Sequence, residues 1–265
     1  MKKKIGGIEL AWEEEGQGLP VVLLHAFPLN RKMWEAQRQA LSSRYRVITP
    51  DFRGHGESNL PEEDSTMDRL AEDVRGLLEE LKLERVILGG LSMGGYVAFA
   101  FLRRYAARLA GLILADTRAA PDSEEGRTAR YENAALAETA GAGALAERLL
   151  PKLLGPSTRQ GKPEVVAAVR AMMLSTPPAG MARALRGMAA RADSTELLGK
   201  IPCPTLVVGG EEDPLSPPAE AEAMAKNIPN AKHVKIPHAG HLSNLEQPAA
   251  FNAALVEFLA QFPAR

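Results

Sequence analysis

The sequence predicts an α/β fold: a mostly parallel central sheet with helices on both faces and a helical cap inserted between two late strands. Three observations carry this. Short apolar runs recur without polar alternation, as in strands of a parallel sheet covered on both sides. Segments with helical apolar spacing lie between those runs. A stretch from about Ala119 to Gly199 is rich in Ala, Leu, Met, Arg and Glu and has almost no β-branched runs.

The runs that predict strands are Val21-Val22-Leu23-Leu24, Val47-Ile48, Val86-Ile87-Leu88, Leu112-Ile113-Leu114 and Leu206-Val207-Val208. A sixth, His233-Val234-Lys235-Ile236, alternates and belongs nearer an edge. Leu70, Val74, Leu77, Leu78 and Leu81 recur at helical spacing, with Ser65 and Asp68 as the capping start. The last helix begins near Pro248, a residue suited to a first turn, and buries Phe251, Leu255, Phe258 and Leu259. Strands and helices in alternation point to a parallel sheet.

In the stretch from Ala119 to Gly199, Gly141, Pro151, Gly155-Pro156, Pro163 and Pro177-Pro178 separate several short helices. Strands resume at Thr205. An insertion at that point has to sit on top of the sheet. The expected division is a core of residues 1–118 and 200–265 with a helical cap of residues 119–199.

Composition narrows the function classes. The chain has 265 residues, enough for one α/β domain with a full core. Its net charge of -1 gives no electrostatic footprint for nucleic acid or a membrane surface. No apolar stretch approaches the length of a membrane span. The lysines at positions 2–4 have a leader's charge, but Glu9 and the acids at 13–15 interrupt the apolar segment a leader needs. Cys203 stands alone, which rules out an intrachain disulfide. The expected location is the cytoplasm.

Gly90-Leu91-Ser92-Met93-Gly94 matches G-x-S-x-G. A strand leads into it and the helix-compatible segment Tyr96 to Arg104 leads out, the setting a nucleophile elbow requires. Gly90 and Gly94 have no Cβ to collide where the strained turn brings the chain close to itself. The serine then stands at a helix N-terminus, where amides and dipole favour negative charge.

A serine hydroxyl needs a base. His241 lies after the last strand and before the last helix, where an open parallel sheet gathers its reactive groups. His238 is its local rival and reads as structural. The acid should follow an earlier strand, so that Ser, acid and His come in that chain order. Glu211, Glu212 and Asp213 compete there. Asp213 is the choice because Pro214 can fix the loop, and Asp116, after Leu112 to Leu114, stays open as the runner-up. The oxyanion donors should be the Met93 amide and the Phe27 amide, each such donor being worth about 3 kcal/mol in the transition state.

Five segments now match one family in order: His25-Ala26-Phe27-Pro28, Asp51 to Ser58, Gly90 to Gly95, Gly210 to Asp213 and Gly240 to Glu246. Across nearly its whole length the chain resembles the α/β-hydrolase superfamily. It looks closest to small carboxylesterases, enol-lactonases of aromatic degradation and cofactor-free haloperoxidases, which are esterases with a perhydrolase side activity. Phe27-Pro28-Leu29 and Ser92-Met93-Gly94 resemble the haloperoxidase branch. His25-Ala26 departs from its usual His-Gly, and alanine tolerates positive φ less well. The resemblance implies a structural loop role for His55. Haloalkane dehalogenases and epoxide hydrolases of this fold carry Asp where Ser92 stands.

The expectation is a serine hydrolase that cleaves esters or lactones of small substrates through an acyl-enzyme, with no metal or organic cofactor needed. Hydrogen peroxide in place of water would yield a peracid. A small-molecule receptor or an acyltransferase on the same fold is the alternative. Phe27, Met93 and, near the entrance, Trp34 are the candidate substrate contacts, with Met172, Met173, Met181 and Met188 as possible cap-side walls or plain helix–helix core.

Overall fold

The computed structural model describes residues 1–60 and 62–262. Eight strands form one sheet: β1 Lys2–Ile5, β2 Ile8–Glu15, β3 Pro20–Leu24, β4 Arg46–Pro50, β5 Val86–Leu91, β6 Leu109–Ala115, β7 Thr205–Gly210 and β8 Ala231–Ile236. Their order is β1-β2-β4-β3-β5-β6-β7-β8. From β4 to β8 every pairing is parallel, while β1–β2 and β2–β4 are antiparallel.

The six expected strands are all present, and β1 and β2 are additions. Their Lys and Glu residues hide them from a search for apolar runs. At one edge of the sheet such side chains reach solvent, and Glu14 of β2 pairs with Arg46 of β4 at 2.7 Å.

The helices are α1 Glu35–Leu41, α2 Met67–Glu80, α3 Met93–Tyr105, α4 Glu124–Leu153, α5 Pro156–Gly161, α6 Pro163–Leu174, α7 Pro178–Ala189, α8 Pro218–Asn227, α9 Ser243–Glu246 and α10 Pro248–Leu259. Side-chain alternation along the strands divides the core. Val22 and Leu24 of β3 pack with Leu70 and Val74 of α2, Val97 and Phe101 of α3 and Met224 of α8. Val21 and Leu23 face the other way, toward Leu41 of α1 and Phe251, Leu255 and Phe258 of α10. Both faces of the sheet are therefore covered, which explains the unbroken apolar runs.

One boundary differs from the sequence reading, and the break expected at Gly141 is a kink within α4. The cap of α2 is Thr66, whose hydroxyl accepts the Arg69 amide at 3.2 Å. Ser65 instead spends its amide on the Arg183 carbonyl of α7, so it docks that helix and does not start α2. Gly141 bends α4 through a left-handed residue (φ 81°), which only glycine adopts readily.

All of α4 to α7 lies between β6 and β7, the position expected for the inserted helices. Among the described residues no helix is long and apolar enough to cross a membrane.

Candidate active site

Strand β5 ends where the chain must reverse into α3. Ser92 takes the turn at φ 55° and ψ −113°, a conformation L-residues avoid. The surroundings hold it there. The Ser92 amide donates to the Ala115 carbonyl at 2.9 Å, and the Ser92 carbonyl accepts from the Gly95 amide and the Thr117 hydroxyl, both at 2.9 Å. A Cβ on Gly90 would collide with the Gly94 carbonyl, and one on Gly94 with the Leu24 carbonyl. The glycines of the motif are thus set by backbone contact.

His241 follows β8, and its ring spans the space between two other loops. Nε2 lies 2.7 Å from Ser92 Oγ and Nδ1 lies 2.7 Å from Asp213 Oδ2. A carboxylate only accepts, so Nδ1 carries the proton and Nε2 is left to accept the serine hydrogen. Asp213 is itself held: its Oδ1 accepts the Leu215 amide at 2.7 Å and the Ser216 amide at 3.0 Å. All three residues are buried. Burial alone favours a neutral imidazole, yet the Asp213 carboxylate raises His241 above its ordinary value.

Asp116, the runner-up acid, is also buried but does not bond the ring. Its Oδ1 accepts the Gly210 amide at 2.8 Å and its Oδ2 accepts from Ser243. Burial, with the Asp213 carboxylate close by, pushes its own carboxyl well above the usual range. Glu212 takes the Ser157 amide at 2.9 Å and its hydroxyl as well, and Glu211 faces Lys235 at 3.7 Å. His238 stands outside the site, at φ 55°, with its carbonyl accepting from Gln247 at 3.0 Å.

The amides of Phe27 and Met93 have no acceptor among the described residues. Met93 opens α3, so its N–H belongs to the unpaired first turn. Phe27 lies beyond the end of β3, in a loop whose next residue is joined by a cis peptide, Phe27–Pro28. Ala26 is absent from the positive-φ residues, so alanine sits in this loop without strain.

His25 and His55 buttress the loop from behind. The Phe52 amide donates to His25 Nε2 at 2.9 Å, which leaves Nδ1–H to donate to the Ala26 carbonyl at 2.9 Å. Burial lowers His25 to about 4 and His55 to about 3.

A cavity of about 190 Å³ opens over Ser92 and His241. Phe27, Tyr96 and Leu215 line it together with Leu149 of α4 and Leu185 and Met188 of α7. Arg118, Asp122 and Arg130 form one polar wall.

Trp34 is not part of this cavity. It packs against Phe251 at 6.1 Å between centroids and is buried in the core between α1 and α10. The expected entrance contact is therefore a core contact. The Met93 side chain is likewise buried, on the α3 face of the core, and only its amide is placed for a substrate. Of the four methionines expected as cap-side walls, Met188 lines the cavity, whereas Met173 and Met181 are core residues and Met172 packs against the core.

Tyr96, Arg118, Asp122, Arg130, Leu149, Leu185 and Leu215 were missed by the sequence reading. Tyr96 had a signal, since the fourth residue after Ser92 in a helix lies on the same face. The others come from segments that only the folded chain brings together.

A family described as alpha/beta hydrolase fold matches residues 20–248. The chain belongs to this family. Relatives of the α/β hydrolase agree with the esterase, enol-lactonase and haloperoxidase resemblance. The 3-oxoadipate enol-lactonase 1 of Acinetobacter baylyi is 32% identical over 87% of this chain and 85% of its own. A thermophilic esterase from Thermogutta terrifontis, solved with malate bound, is 50% identical, with a TM-score of 0.96 over 98% of each chain. A bromoperoxidase from Bacillus anthracis is 27% identical, with a TM-score of 0.85 over 96% of each. Such relatives support hydrolase activity on a small-molecule substrate.

Proposed function

We propose that this hydrolase cleaves carboxylic esters or lactones by two-step acyl transfer, with Ser92 as nucleophile, His241 as base and Asp213 as the residue that orients the base. One observation carries the reading: a single imidazole bonds Ser92 Oγ on one side and Asp213 Oδ2 on the other, each at 2.7 Å. That is the arrangement in which a serine hydroxyl gives up its proton as it attacks a carbonyl.

In the first step His241 Nε2 takes the proton and Ser92 Oγ bonds the carbonyl carbon. Negative charge on the carbonyl oxygen rests on the Phe27 and Met93 amides, whose freedom from protein acceptors favours this role. The raised basicity of His241 keeps the proton on Nε2 until the alkoxide collects it and leaves. Water, deprotonated by the same nitrogen, then attacks the acyl-enzyme, and Ser92 recovers its proton as the acid departs. In a lactone the alkoxide stays tethered to the acyl group, and the chemistry is the same.

Residues 1–118 and 200–265 are taken as the catalytic core and residues 119–199 as a cap that encloses the acyl group. Leu149, Leu185 and Met188 reach the cavity from that segment, and its modest volume suits short substrates.

The test is hydrolysis of p-nitrophenyl acetate and butyrate, with Ser92→Ala as control and a fluorophosphonate probe read by mass spectrometry. Turnover by the wild type, its loss in Ser92→Ala and phosphonylation at Ser92 are expected. No turnover on any short ester or lactone, with Ser92 unlabelled, defeats the proposal.

A further inference from the structure

One wall of the cavity over Ser92 holds more positive charge than its own carboxylate balances. Asp122 is almost fully buried and receives three guanidinium groups: Arg118 Nη2 at 2.9 Å, Arg130 Nε at 3.0 Å and Arg191 Nη1 at 2.5 Å. Arg118 and Arg130 line the same cavity as Ser92 and His241, and the exposed Lys152 stands at its rim. Asp122 is the one carboxylate in that lining among the described residues. Three guanidinium cations on one carboxylate leave two in excess.

The three arginines are not equally committed. Arg191 lies outside the lining and sits over the Tyr96 ring at 4.3 Å, where the ring face shares its charge. Arg118 instead lines the cavity beside Ser92 while its Nη2 holds Asp122. A purely structural ion cluster pairs its charges. A surplus guanidinium beside a nucleophile is a seat for a ligand acceptor. The fork of N–H groups matches a carboxylate, which can take two of them at once.

We propose that this cavity selects small esters or lactones that carry a carboxylate, held by Arg118 with Arg130 beside it while Ser92 attacks the carbonyl. Asp122 is a positioning residue that fixes both guanidinium planes. The proposal rests on the ester and lactone hydrolase reading above and adds the substrate class. A cavity of about 190 Å³ has room for a short half-ester. Excess positive charge along the approach also draws anionic substrates from solution.

Two matched pairs test it. Monoethyl succinate and ethyl succinamate differ only in a terminal carboxylate or amide, with the charge on the acyl side. O-acetylglycolate and O-acetylglycolamide place the same difference on the alcohol side. In the wild type at least one anionic member should exceed its neutral partner by about tenfold in kcat/KM, mainly through KM. Arg118→Gln and Arg130→Gln should each reduce that ratio, and Arg118→Lys should keep part of it, since it retains charge without the fork. Raising the salt should also reduce it. Ratios of one or below in both pairs, or a preference untouched by both glutamine variants, overturn the proposal and leave the hydrolase reading standing. If neither the four substrates nor p-nitrophenyl acetate are turned over, the hydrolase reading is what fails. Calorimetry on Ser92→Ala then decides the anion site by itself: succinate binding, absent for succinamide and weakened by Arg118→Gln, supports it, and no succinate binding ends it.

Discussion

The Ser243 hydroxyl donates to Asp116 Oδ2 at 2.5 Å, and the Ser243 amide reaches the same oxygen at 3.2 Å. The second oxygen of Asp116 accepts the Gly210 amide at 2.8 Å. Asp116 thus ties the loop that carries Asp213 to the turn that follows His241, without touching the imidazole. Asp213→Asn should lower kcat by about 10⁴, because the amide can hold the wrong tautomer. Asp116→Asn should stay within about tenfold of the wild type and lower Tm instead. Steady-state kinetics with thermal melts distinguish the two, and a large kinetic loss confined to Asp116→Asn would reverse their roles.

The pH profile follows from His241. In the proposed mechanism His241 acts only when neutral, so kcat/KM should rise with pH through the imidazole value of the free enzyme. Asp213 raises that value above the ordinary 6.5, so the acid limb should lie above 6.5 in the wild type. In Asp213→Asn the raising charge is gone, and the limb of the residual activity should move down. An unmoved limb would mean that another group controls it.

His25 and His55 should behave oppositely. Both are buried, and burial lowers them to about 4 and about 3. Neither ring should titrate above pH 5 in proton-detected NMR, and both should remain neutral where the enzyme works. A ring titrating near pH 6.5 would contradict the buttress described for the Phe27 loop.

Trp34→Phe should leave the order of preference among ester chain lengths unchanged, since Trp34 is core. Trp34→Ala should cost about 3–5 kcal/mol of stability, read by urea unfolding. A changed chain-length profile in Trp34→Phe would return the residue to the site.

Leu149→Ala removes bulk from the α4 side of the cavity while leaving Ser92, Asp213 and His241 in place. The optimum in kcat/KM along a p-nitrophenyl ester series from acetate to octanoate should move to a longer acyl chain. An unchanged optimum would place the acyl group elsewhere.

At Gly155 the inserted segment meets the His241 loop. A Cβ there would press on Gly240, and the Gly155 amide donates to Glu246 at 2.8 Å. Gly155→Ala should cost about 1–3 kcal/mol and reduce activity together with stability, read by melting and by active-site titration. Full stability would show that the contact yields easily.

The order Ser, acid, His and the strand–turn–helix around Ser92 were legible in the sequence because they are local. A strained elbow demands small residues at 90 and 94, and apolar runs without alternation demand a sheet buried on both sides. The edge strand β1 and its neighbour β2 were not legible, because half-exposed strands tolerate the charges that disguise them. The choice between Asp116 and Asp213 could not be local either. Both follow buried strands that lie side by side, and only the direction of each carboxylate, fixed by amides at 210, 215 and 216, decides which one meets the imidazole. Trp34 and the wall of Arg118, Asp122 and Arg130, with Arg191 behind it, likewise depended on tertiary packing. Sequence by itself determined which residues could do chemistry, since that depends on side-chain type and on turns a few residues long. The tertiary structure decided which of them meet, because contact across a sheet and an inserted helical segment joins residues that nothing in the linear order relates.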